Sequence, residues 1–303
     1  MGKVAILLIG FNRTDLLIDR INELKGVRLP VYISMDGSTS QYQRSEKEEE
    51  LIIRNSQNLF DSSIIFHKTN LGIANHLPMM LTKLFCQFDW IIIIEDDISI
   101  PAINLASLIN QIQETASDEL IILGLFSFIG GSNFKFLLNF WRTSIYFNGW
   151  GWATNRNTWS KYVGKLTDKD PVENLMNCKN WKELSREKRN FWKMKFEKIS
   201  EFPNLSWDYQ VQYMIFLHGI TVKRPIFRAS ENLGFFDSRG TNLKGPKPKW
   251  YLGSVTEKEI KNEIKSKNLI NIFNFFDSNT WIMDGKYIKL LASIRKKLNY
   301  RTK

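Results

Sequence analysis

Cysteine is nearly absent: the chain of 303 residues holds two, Cys86 and Cys178, in unrelated contexts. No disulfide framework and no thiolate zinc site can be built from them. Histidine is as scarce. His67, His76 and His218 form no close ligand pair in sequence, which removes the usual imidazole metal motifs. No apolar run approaches the ~18 residues needed to span a bilayer. The run over residues 4–9 is too short for a signal peptide and meets Asn12-Arg13 with no cleavage site. The myristoylation pattern also fails, since residue six is Ile6. The expectation is a reduced, cytoplasmic protein, soluble or seated at the inner face of a membrane. Acidic side chains are outnumbered, 31 against 42 Lys and Arg, for a net charge of +11. An anionic partner is expected: nucleic acid, a membrane surface or phosphates. With 43% hydrophobic residues, disorder over most of the chain is excluded.

What is present is alternation. Residues 4–10 are a branched apolar run, the mark of a strand buried on both faces. Asn12-Arg13-Thr14-Asp15 then supplies helix-start chemistry for residues 16–24. A second strand over residues 30–34 ends in Asp36-Gly37. A helix follows over 45–60, a strand over 64–67, a Gly72 turn, and a helix over 73–88 with Pro78 near its first turn. Trp90 and four isoleucines form the most strand-like segment, which ends in Glu95-Asp96-Asp97. Residues 104–115 read as a helix and 120–125 as another buried strand. This order predicts an α/β fold, a mostly parallel mixed sheet with helices on both faces. Ligands of such sheets bind at the carboxyl ends of the strands, where Asn12, Arg13, Asp36, Glu95, Asp96 and Asp97 all fall.

Farther on, residues 146–152 are rich in aromatics and glycine. Residues 179–198 are strongly basic, with Trp181, Phe191, Trp192 and Phe196 interleaved. They read either as a lid over an acceptor or as a solvated amphipathic helix. Ser206-Trp207-Asp208-Tyr209 opens a helix that stops at Gly219. Residues 220–225 are a short strand, 240–249 a Gly/Pro/Lys linker, and 292–303 a basic tail without an acid. That tail, with Ile294 and Leu298 among its cations, suits an anionic membrane surface.

Three carboxylates directly after a buried strand, with no histidine or thiolate beside them, suit Mg²⁺ or Mn²⁺ bridging a diphosphate. A solvated turn capping the next helix is the plainer reading. In this context the chain resembles a metal-dependent glycosyltransferase of the GT-A fold, similar to the N-acetylglucosaminyltransferase I group and bacterial family-2-like relatives. Glu95-Asp96-Asp97 resembles their Asp-X-Asp motif. Four further segments follow in the family's order: Ile9-Gly-Phe-Asn-Arg13, Ile33-Ser-Met-Asp36, Phe147-Asn-Gly-Trp-Gly-Trp152 and Ser206-Trp-Asp-Tyr209.

The resemblance covers residues 4–236. It implies a catalytic domain over 1–236, with a nucleotide-sugar half (1–125) and an acceptor half (126–236), then a basic extension over 237–303. It implies Asp97 as metal ligand, with Glu95 and Asp96 at the donor's sugar and ribose. Asn12, Arg13, Asp36 and Gly72 would hold the rest of a UDP-sugar. Asp208 would be the general base, with Glu231 and Asp237 as fallbacks. Trp150, Gly151 and Trp152 would meet sugar, one tryptophan at the site and the other in the core. The late loop departs from the family, with Arg239 where relatives often carry a histidine. Arg13 has a second reading, pairing with Asp15 or Asp19, Asp36 a second one as a turn cap, and His76 a plainer one on a helix surface.

The implied activity is inverting transfer to a glycan or lipid-linked hydroxyl in bacterial lipopolysaccharide or capsule synthesis. A sugar nucleotidyltransferase is the enzymatic alternative, but no Gly-rich phosphate loop is present. A nucleic-acid-binding module is the non-enzymatic one, against which the cations are spread along the chain without a motif.

Overall fold

In a computed structural model of the chain, the described residues are 2–131, 139–162, 164–167, 170–204, 206–235, 237–240, 247, 251 and 253–282, with 276 and 279–282 described by backbone only. The first half runs β1 (Val4–Gly10), α1 (Thr14–Glu23), β2 (Pro30–Met35), α2 (Glu46–Ser56), β3 (Asp61–Phe66), α3 (Ile73–Leu84), β4 (Trp90–Glu95), β5 (Ile98–Ser99), α4 (Ala102–Glu114) and β6 (Ile121–Gly124). The second runs β7 (Asn139–Ser144), β8 (Trp152–Asn155), α5 (Arg156–Trp159), α6 (Lys179–Lys182), α7 (Arg186–Glu201), α8 (Trp207–His218), β9 (Thr221–Pro225), β10 (Glu231–Asn232), β11 (Ile260–Lys261) and α9 (Lys267–Ile282).

Nine strands form one sheet in the order β11-β7-β9-β6-β8-β4-β1-β2-β3. Strands β3, β2, β1 and β4 are parallel neighbours, as the alternating pattern predicts. Strand β8 enters antiparallel to both β4 and β6, so the sheet is mixed. The side-chain period of two explains why β1 is apolar throughout. Val4, Ile6 and Leu8 face one layer with Leu17, Ile21, Ile52, Leu105 and Leu108 from α1, α2 and α4. Ala5, Leu7 and Ile9 face the other, with Leu77, Leu81, Val211 and Ile215 from α3 and α8. Pro78 lies beyond the first turn of α3, inside the helix, where it removes a backbone donor.

The basic stretch over 179–198 resolves into α6 and α7. Its aromatics are core: Trp181, Trp192 and Phe196 pack with Tyr213 and Phe216 of α8. Lys182, Lys193 and Lys198 are exposed, as on an amphipathic helix, whereas Lys195 lies over the Phe191 and Tyr209 rings on the Asp208 side.

The segment beyond 236 takes part in the same body. β11 pairs with β7, and α9 sends the buried Asp277 to Arg142 of β7 and Arg224 of β9, at 2.8 and 3.4 Å. Burial disfavours the Asp277 carboxylate, but the two guanidiniums outweigh it and hold its pKa below the ordinary value. Asp277→Ala would strand two buried cations. Urea unfolding is expected to show a loss of about 3–5 kcal/mol. A loss below about 1 kcal/mol would mean that water reaches both arginines. The basic tail over 292–303 lies outside the described residues.

Candidate active site

The acidic turn sits where the sheet's strand ends meet. The Asp96 N–H donates to the Ile9 carbonyl at 2.9 Å, which fastens the turn to the end of β1. Arg13, just beyond β1, reaches across to both aspartates. Its Nη1 donates to Asp97 Oδ2 at 2.8 Å and its Nη2 to Asp96 Oδ1. The alternative partners Asp15 and Asp19 do not hold it; Asp15 pairs with Arg239 instead, at 2.7 Å. Burial alone would lower the Arg13 pKa, but Asp96 and Asp97 outweigh it and hold the guanidinium above its usual value.

The carboxylates carry the opposite strain. Burial, with Asp97 and Asp96 adding repulsion, raises Glu95 well above the ordinary range. Burial raises Asp96 to about 6, despite Arg13 and with Asp97 adding to the rise. Asp97 Oδ1 is buried and has no hydrogen-bond partner among the described residues.

A strap closes over this turn. The Leu233 N–H donates to the Asp97 carbonyl at 2.8 Å, and β10 pairs antiparallel with β5. A Cβ on Gly234 would stand 2.3 Å from Asp97 Oδ2 and 2.9 Å from Arg13 Nη1. A larger residue there would have to push the Asp97 or Arg13 side chain aside. Sequence reading missed Gly234, because a lone glycine in a late loop carries no signal until the contact is seen. The strap is tied farther on by Arg239, which pairs with Asp15 and Asp237, and by Asn12, whose Nδ2 donates to the Arg239 carbonyl at 3.2 Å. The fallback bases are both engaged by cations: Glu231 by Lys247 at 2.7 Å and Asp237 by Arg239 at 2.8 Å.

Asp208 opens α8 and lies near enough to Glu95 for its charge to raise that group further. Its Oδ1 accepts from the Ser206 hydroxyl and, at 3.0 Å, from the Tyr209 N–H. Burial is the largest influence and raises its pKa; these hydrogen bonds and Lys195 work against it. The chain at Gly149 bridges the two features: a Cβ there would lie 2.7 Å from the Trp207 ring and 3.8 Å from Glu95 Oε1.

Of the two tryptophans, Trp152 is the core member. It is 0% exposed and packs against Phe147 and Trp207, so no ligand can stack on it. Trp150 is half-buried, and its ring meets Phe126, Phe235 and Tyr251. Gly151 between them adopts φ 78, a left-handed bend that turns the chain from one ring to the other.

Asp36 takes its second reading, the turn cap. Its Oδ1 accepts from the Gly37 and Leu71 N–H groups at 2.8 Å each, and its Oδ2 from Gly72 N–H at 2.9 Å and Asn70 Nδ2 at 3.3 Å. With its lone pairs so engaged, it shapes the Gly72 turn. Gly72 is the N-cap of α3.

His76 is 1% exposed, which overturns the helix-surface reading. Its Nε2 lies 2.7 Å from Ser34 Oγ, and His67 Nε2 lies 3.1 Å from the same hydroxyl. Burial lowers the His76 pKa to about 4, against the pull of Asp36 and with His67 adding to the fall. Folded His76 thus takes its proton near pH 4, the unfolded chain near 6.5. Between those values the unfolded chain binds more protons, so stability falls as pH drops through that window. The parent is expected to lose on the order of 3 kcal/mol more than His76→Gln between about pH 7 and 4, by urea titration. Equal losses in the two proteins would show that His76 is not the source.

No protein-family model and no curated protein matches the sequence. Among solved structures, a mannosyltransferase from Pyrobaculum calidifontis, in complex with GDP-Man and Mn²⁺, is similar at TM-score 0.42. Identity is 13% over 72% of this chain and 70% of that one. A structure described as mannose-1-phosphate geranyltransferase, from Thermus thermophilus, is similar at TM-score 0.42, with 10% identity over 73% of each chain. Both likenesses are shallow, and the functional reading rests on this site's own residues.

Proposed function

We propose that the chain is an inverting, metal-dependent glycosyltransferase of the GT-A type, using a nucleotide-sugar donor and a hydroxyl acceptor. One observation carries the reading: Arg13, Glu95, Asp96 and Asp97 converge at the carboxyl ends of β1 and β4, with Asp208 near enough for its charge to raise the Glu95 pKa. A buried cluster of acids with one guanidinium suits a ligand that carries both phosphate and a divalent cation.

The donor set fits Mn²⁺ or Mg²⁺. Among the described residues no group of three or more acidic, histidine or cysteine side chains is placed to hold a metal ion by itself. The buried, unpartnered Asp97 Oδ1 offers one hard oxygen, and diphosphate and water would supply the others. When bound, the cation supplies charge neutralisation for the departing diphosphate.

In this reading Asp208 takes the proton from the acceptor hydroxyl. The acceptor oxygen bonds to the anomeric carbon as the bond to the diphosphate oxygen breaks on the opposite face. The raised Asp208 pKa makes it a stronger base than an ordinary aspartate. Arg13 binds phosphate oxygens bidentately. Trp150 offers an aromatic edge to a sugar ring. The acceptor, a glycan or lipid-linked hydroxyl of bacterial surface polysaccharide synthesis, is carried over from the sequence resemblance.

Calorimetry with Mn²⁺ and UDP- or GDP-sugars, followed by a screen for released nucleoside diphosphate, tests the reading. Metal-dependent donor binding and release of diphosphate support it. Pyrophosphate release from a nucleoside triphosphate and a sugar phosphate would favour the nucleotidyltransferase. Metal-independent, salt-sensitive oligonucleotide binding would overturn both enzymes.

A further inference from the structure

Among the described residues, the ion pairs of Asp96 and Asp97 are both made by Arg13. The guanidinium spans the two carboxylates on one side, the strap at Gly234 abuts it on another, and the second Asp97 oxygen is left without a partner. Three carboxylates this close repel one another when ionised. Arg13 is the counter-charge that offsets the repulsion in the protein without donor.

Resting on the glycosyltransferase reading, we infer that Arg13 is an internal stand-in for the divalent cation and couples metal binding to donor binding. Two cations compete for Asp97. A metal ion arriving alone meets a carboxylate already neutralised and an adjacent positive charge. It must displace Arg13 from Asp97 or share that group with it. A diphosphate changes the balance, because its oxygens give the guanidinium a second anionic partner. Arg13 can then move from carboxylate to phosphate while the metal takes its former place. Metal and diphosphate thereby favour each other beyond their direct contact, and the bare metal is held weakly.

Such coupling is reciprocal and typically amounts to roughly 5–150-fold in affinity. Arg13 is a donor-binding residue that also competes with the metal, and the signature of that second role is an inverted mutational effect. Removing a side chain from a binding site ordinarily weakens binding; removing this one is expected to strengthen the binding of bare metal.

The test is Mn²⁺ affinity of the full chain, followed by electron paramagnetic resonance with and without UDP or GDP. Arg13→Gln is expected to bind Mn²⁺ roughly tenfold more tightly than the parent without nucleotide. The added gain on supplying nucleoside diphosphate is expected to shrink in the variant. Arg13→Lys keeps the charge but cannot span two carboxylates, so it should fall between them. It also serves where the glutamine variant fails to fold. Unchanged or weaker Mn²⁺ binding by the folded variants would overturn the inference and leave the transferase reading standing. Should parent and variants alike take up no Mn²⁺ even with UDP or GDP, the transferase reading itself would fail.

Discussion

Replacing Asp208 with Asn is expected to lower the rate of sugar transfer by about 10³-fold, within the roughly 10²–10⁴ that a positioned general base contributes. Asparagine keeps the size of the side chain and can still accept from the Tyr209 N–H, now made at 3.0 Å, so the start of α8 should persist. What it loses is the capacity to take a proton. Donor binding should stay within about twofold, because Asp208 belongs to α8 while the diphosphate would sit by Arg13 and the acidic turn. Measuring kcat and the donor KM separately is decisive. A variant that transferred near the parent rate would remove Asp208 from the chemistry. Loss of donor binding in step with rate would make it a binding group. The pH profile adds a sign. A base with a raised pKa is active when deprotonated, so the acidic limb of kcat should fall at a higher pH than an ordinary aspartate would give.

The second large effect concerns Asp97→Ala. Its Oδ1 has no partner among the described residues, and its Oδ2 accepts from Arg13. Removing both oxygens takes away the proposed metal ligand and leaves Arg13 with Asp96. Metal-dependent donor binding is expected to fall by more than the roughly 10–100-fold that even outer-sphere partners of a metal cost. Thermal unfolding should change little, since the ion pair to Asp96 remains. Calorimetry with Mn²⁺ and a nucleoside diphosphate reads the result. Donor affinity that survived the substitution and still required metal would place the cation elsewhere.

Much of this site is legible in the amino-acid sequence, for a physical reason. Parallel strands buried on both faces are continuous apolar runs, so β1 and β4 announce themselves, and so do the polar residues at their ends. Arg13 and Glu95 to Asp97 are visible in that way. Asp208 is visible because Ser206 and Gly219 mark both ends of its helix. What stays hidden depends on tertiary neighbours. Asp36-Gly37 reads equally as a turn or a ligand site; the Leu71 and Gly72 amides that fill its carboxylate come from another loop. Two tryptophans around one glycine look alike, and only the packing of Trp207 separates the buried one from the other. Gly234 and Asp277 carry no local pattern at all, since each matters through residues far away in the chain.

The way β8 is inserted has a consequence for how the protein comes into being. Strands β1, β2 and β3 can associate as they emerge, each beside its neighbour in sequence, and β4 then adds at the free edge of β1. The candidate site cannot follow at once. Arg13 and Asp97 lie in the first third of the chain, Asp208 and Gly234 in the last. They come together only after β8 has wedged between β4 and β6 and the chain has crossed back through α8 and the strap. Contacts of such long sequence separation form late, because loop closure must precede them. The proposed chemistry therefore waits until the whole sheet is in place, and a partly folded chain has the acidic turn without Asp208 and the strap.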